Sequence, residues 1–68
     1  MAQDRVGSIW ECRNPAGVVI ATITKGWELY WWHIVDYRNG TTLMLGSAST
    51  YRQCREECPI KWRFKKVK

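Results

Sequence analysis

Cys12, Cys54, Cys58 and His33 are the side chains of this sequence best equipped for chemistry. Three thiolates and an imidazole can hold zinc tetrahedrally, and a thiol beside an imidazole can act as a nucleophile. The spacing argues against both. Structural zinc sites favour Cys-x-x-Cys knuckles on turns, whereas Cys54 and Cys58 stand in a Cys-x-x-x-Cys pattern that suits one helical face. Free cysteine is among the most buried residue types, so all three thiols read as core. A bridge within one helix would be strained. The odd cysteine count fits a reducing cytoplasm better than a secreted disulfide framework. No carboxylate pair, glycine-rich phosphate loop or serine elbow occurs. The expectation is a non-enzyme with no catalytic residue, metal or cofactor.

The second constellation is electrostatic. Lys61, Arg63, Lys65, Lys66 and Lys68 carry the whole net charge of +5, because the remaining six basic side chains meet six acidic ones. A neutral globule with a cationic end attracts polyanions through counterion release. Trp62 and Phe64 alternate with these cations and are expected to anchor them. On a sheet, Tyr30, Trp32, Trp62 and Phe64 are candidates for stacking on bases, with Arg and Lys side chains holding phosphates. Glu28 and Asp36 share the face of Tyr30 and Trp32 and oppose a phosphate backbone there. A protein ligand tolerates that mixture better, since interface cores are rich in Trp, Tyr and Arg.

Two function classes follow. One is a small accessory protein binding nucleic acid through Lys61, Trp62, Arg63, Lys65, Lys66, Lys68, Tyr30, Trp32 and Arg38. The other is a protein–protein interaction module, such as an inhibitor or adaptor of a host protein, whose basic end serves solubility.

These side chains must be positioned by a short chain. Sixty-eight residues make one domain, with residues 1–60 as its compact part and 61–68 as a basic strand or tail. A domain this small needs bulk in its core, and its tryptophans and tyrosines supply it. A homodimer is a further way to cover such rings. The start, Met1 to Arg5, is polar, and no apolar run is long enough to span a bilayer, so neither a signal peptide nor membrane contact is expected.

Gly7 to Arg13, Val18 to Thr24, Trp27 to Tyr37 and Thr41 to Leu45 read as strands. Asn14-Pro15-Ala16-Gly17, Lys25-Gly26 and Asn39-Gly40 supply the reversals. The long third strand is apolar on both faces, which marks a central strand or one face kept for a partner. The period changes at Gly46. Thr50 to Gln53 has the spacing of a capping box, and a helix from about Tyr51 to Cys58 ends before Pro59. Tyr51, Cys54 and Cys58 form its inner stripe. Lys61 to Val67 alternates as a fifth strand or an ordered tail. The expected fold is α+β: an antiparallel meander of four to five strands with one short helix near its C-terminal end, either an open sheet or a small barrel.

The aromatic strand and turn Tyr30-Trp31-Trp32-His33-Ile34-Val35-Asp36-Tyr37-Arg38-Asn39-Gly40, followed by the helix start Thr50-Tyr51-Arg52-Gln53-Cys54, resembles the amino-terminal arm-binding domains of phage and transposon integrases. The likeness covers Gly26 to Cys58. It implies a sheet lying in the major groove, with Arg and Lys side chains reading bases. Arg38 and Lys25 stand near such positions. It also implies a small phage or mobile-element origin.

Overall fold

The computed structural model describes residues 5–68; the polar start read over Met1–Asp4 lies outside the described residues. Five strands and one helix follow in the order β1 (Ile9–Arg13), β2 (Val19–Lys25), β3 (Tyr30–Val35), β4 (Thr42–Ala48), α1 (Tyr51–Glu57) and β5 (Lys65–Lys66). All neighbours pair antiparallel, in the spatial order β4-β3-β2-β1-β5. The sheet is open, with β4 and β5 as its edges.

The β1–β2 turn is closed by the residues the sequence marks. Asn14 Oδ1 accepts from the backbone N–H groups of Ala16 and Val18, both at 3.0 Å. Gly17 takes a φ of 85°, a region that disfavours side chains. β3 ends at Val35, short of the expected Tyr37, and in place of a tight Asn39-Gly40 turn the β3–β4 reversal is a six-residue loop built on Asp36, whose carboxylate accepts from the Arg38 N–H at 2.9 Å. The β2–β3 reversal is longer than expected. Gly26 to Leu29 form a four-residue loop closed by Gly26 N–H on the Leu29 carbonyl at 2.7 Å, and Lys25 pairs with Tyr30. Trp27 is therefore at the hairpin tip, 87% exposed, not in a strand.

β4 also departs from expectation, because it continues through Gly46 to Ala48. Gly46 is not a strand end. It faces Trp32 across the β3–β4 pair, and the indole lies over the space a side chain would fill. The helix begins as expected: Thr50 Oγ1 accepts from Gln53 N–H at 3.1 Å. It stops after Glu57, with Cys58 extended ahead of Pro59.

Strict alternation gives the sheet two unlike faces. One cross-strand row runs Lys66, Trp10, Ile23, Trp32 and Gly46. Helix α1 covers this face, and Trp10, Ile23, Trp32, Ala48, Cys54 and Cys58 form the core beneath it. Trp10, Tyr30 and Tyr51 stack there, with Trp10 and Tyr51 centroids 4.7 Å apart. On the opposite face a second row runs Lys65, Glu11, Thr22, His33 and Leu45, beside Ile9, Thr24, Trp31 and Ser47. No helix among the described residues covers them. Among the described residues no helix is long and apolar enough to cross a membrane.

Candidate nucleic-acid interface

The helix-free face is where side chains with binding chemistry meet. Trp31 projects from β3, 38% exposed, next to half-buried His33. Two strands away, Glu11, Arg13, Arg63, Lys65 and Val67 line a shallow groove. Arg13 leans on Glu11 at 3.0 Å. Neither Arg63 nor Lys65 has an ion-pair partner among the described residues. Thr22 and Thr24 floor the space between the aromatic strand and the groove, roughly 10 Å at one inter-strand spacing per step. The face thus grades from aromatic to cationic, with one carboxylate already engaged by arginine.

The cationic segment reaches this face because its backbone is tied to β1. Val67 N–H donates to the Ile9 carbonyl at 2.8 Å, and Ile9 N–H donates to the Lys68 carbonyl at 3.1 Å. The alternation then divides the charges. Arg63 and Lys65 line the groove. Lys66 turns to the other face, with Nζ 5.7 Å from the Trp10 ring centroid. Lys61 serves the helix, donating from Nζ to the carbonyls of Arg55 and Glu56. Lys68 lies beside Ile9. The segment expected to act as one cationic patch is distributed over four surroundings.

The anchors also differ from expectation. Phe64 packs against the core beneath the Arg55 guanidinium, which lies 4.8 Å from its centroid. Trp62 is exposed and contributes its carbonyl, which accepts from Arg55 at 3.3 Å. Phe64 is therefore the mooring and Trp62 is not. Of the rings expected as stacking surfaces, Trp32 belongs to the core at 8% exposed, and half-buried Tyr30 packs against the core beside Trp10 and Tyr51. Trp32 offers no ring to a ligand in this fold, and the Tyr30 ring carries the Lys25 ammonium 4.6 Å from its centroid. Arg38 is held by Asp36, Nε to Oδ1 at 3.2 Å. Those hydrogen bonds keep the Asp36 carboxyl below its usual range.

The sequence does not single out Trp31 or Arg13, and it marks His33 only for metal or thiol chemistry. The signal for this face lies in β2, where Ala21 and Ile23 alternate with Thr22 and Thr24. That alternation names the inner face, and the β2–β3 register carries it to Trp32 inside and Trp31 outside.

The thiols sit on the far side of the sheet from His33. Cys12, Cys54 and Cys58 are fully buried and unbridged. Burial, reinforced by Cys58 and Glu57, pushes the Cys54 thiol up to about 11, and burial also raises Cys12. Both are neutral thiols near pH 7, a poor state for a nucleophile or ligand. Among the described residues no group of three or more His, Cys, Asp or Glu side chains is placed to hold a metal ion.

No family model, characterised protein or solved structure matches the chain.

Proposed function

We propose that this chain is a non-enzymatic protein that binds single-stranded nucleic acid across the helix-free sheet face. Trp31 stacks on a base and His33 extends that platform. Arg63 and Lys65, with Arg13, take phosphates in the groove. The observation that carries this reading is the shared face: an accessible indole and the two groove cations Arg63 and Lys65 on one flat surface about two strand spacings apart. Unstacked bases expose their π-faces to such a platform, whereas a duplex hides them, so a single strand fits better than a double one. In the integrase-type domains that residues 26–58 resemble, a sheet face is likewise the binding element, and a mobile-element origin belongs to this same reading. Three free thiols suit a reducing cytoplasm.

The test is a titration of full-length protein with short random single-stranded DNA and RNA at several salt concentrations. Three phosphate contacts predict a slope of log K against log salt of about −2. Trp31→Ala and the pair Arg63→Gln with Lys65→Gln should each weaken binding at least several-fold. Lys61→Gln, whose side chain serves the helix end, should leave it nearly unchanged. Equal losses for all variants would reject the face as the site. No binding of either nucleic acid at low salt would move the protein-binding reading ahead, with a host protein on the same aromatic surface.

A further inference from the structure

The sheet has two edges, and they are built differently. An edge strand presents unpaired N–H and C=O groups that template pairing with another strand, and proteins normally guard it with charge, proline or brevity. β5 is guarded by both brevity and charge: two residues, both lysine. β4 has seven residues, Thr42–Ala48, with no charge and no proline. The uncharged stretch extends from Asn39 through Tyr51. On β4, Leu43, Met44 and Leu45 are 61%, 53% and 58% exposed. A register shift near Leu43 loosens one end, but Met44 through Ala48 pair with β3 without interruption.

We propose that β4 is a dimerisation edge whose occupant is β4 of a second copy of this chain, paired antiparallel about a two-fold axis near Met44 and Leu45. The result is a continuous ten-stranded sheet. With the axis at Leu45, antiparallel self-pairing sets Leu45 of both copies opposite each other on the helix-free face and Met44 of each copy opposite Gly46 of the other on the helix side. Charge selects this arrangement. The strand order puts the cationic segment at the edge farthest from β4, so pairing through β4 keeps the two positive ends at opposite limits of the composite sheet and places no like charges at the seam. Head-to-tail pairing of β4 with β5 is disfavoured, because a two-residue lysine edge offers too little backbone to template a seven-residue strand. The seam therefore closes as a dimer and does not propagate. This inference stands apart from the nucleic-acid reading and would survive its failure, although a dimer would present two binding faces on one surface.

Sedimentation equilibrium over a range of protein concentrations tests it. The expected wild-type mass at high concentration is twice the 8.0 kDa of one chain. Leu45→Lys should return the protein to 8.0 kDa by introducing like charges at the seam, and Leu43→Lys serves if the first variant folds poorly. Circular dichroism monitors folding of both. In the wild type, β4 amides that do not bond to β3 should exchange more slowly as concentration rises, a readout that needs no variant. A wild-type monomer at high concentration, an open-ended series of oligomers, or a dimer unmoved by folded Leu45→Lys or Leu43→Lys would each overturn the proposal.

Discussion

Trp31 and Trp32 are neighbours in sequence with opposite roles. Trp32 is buried beneath α1, its indole laid over Gly46. Trp31 stands on the face that no described element covers. The two residues have the same chemistry, so the difference between them is wholly one of placement. A strand turns successive side chains to opposite faces, and the described residues form a single helix, enough to cover one face. An aromatic residue on the covered face stabilises the fold; on the other it is left available for a ligand.

Truncating each ring sharpens the contrast. Trp32→Ala removes a core ring and leaves a cavity, an expected loss of about 3–5 kcal/mol, large enough to unfold a domain of marginal stability. Trp31→Ala should cost less than Trp32→Ala, because its ring is 38% exposed, while carrying the loss of nucleic-acid affinity. Urea denaturation of both variants measures the difference. Equal destabilisation by the two would mean that the second face is also structurally occupied.

Gly46 tests the covered face from the opposite side. A Cβ there would stand 2.5 Å from Cε2 and Cζ2 of Trp32 and 2.6 Å from its Nε1. Gly46→Ala therefore overpacks the core and should cost about 1–3 kcal/mol. Adding Trp32→Phe should recover part of that loss, since contacting residues couple. A strictly additive double variant would mean that the indole does not depend on this glycine.

The elements themselves were legible in the sequence. Asn14 to Gly17 and Thr50 to Gln53 close a turn and a cap through short-range contacts, and short-range contacts are written in local residue types. The boundaries of β3 and β4 were less so. Gly46 reads locally as a breaker, yet it sits inside β4 because a tryptophan on the neighbouring strand needs its space. The choice between the two aromatic faces was available from the Ala-Thr-Ile-Thr alternation of β2, but the aromatic residues of β3 taken alone do not reveal which face the helix covers. The division of the cationic segment was also partly visible. Its alternation is in the sequence, whereas the pairing with β1 that turns Lys65 and Lys66 to opposite faces depends on contacts distant along the chain.

The covered face should also answer to pH. The Cys54 thiol deprotonates near 9 in an exposed setting but holds its proton to about 11 in the fold, mainly because burial disfavours the thiolate. The sign follows from proton counting. Between those values the unfolded chain has lost the proton and the folded chain keeps it, so stability falls as pH rises through this window. Below about 9 the contribution is fully present. By pH 10 the loss is on the order of 1 kcal/mol, smaller than the changes expected at Trp32 and Gly46. The informative quantity is a difference, which removes whatever the two proteins share. Urea midpoints of the wild type and Cys54→Ala, followed from pH 8 to 10.5, should converge as pH rises, because the variant has no thiol at that position to ionise. A constant offset between the two curves would mean that the Cys54 thiolate is tolerated in the fold and that the covered face is less sealed from water than its packing implies.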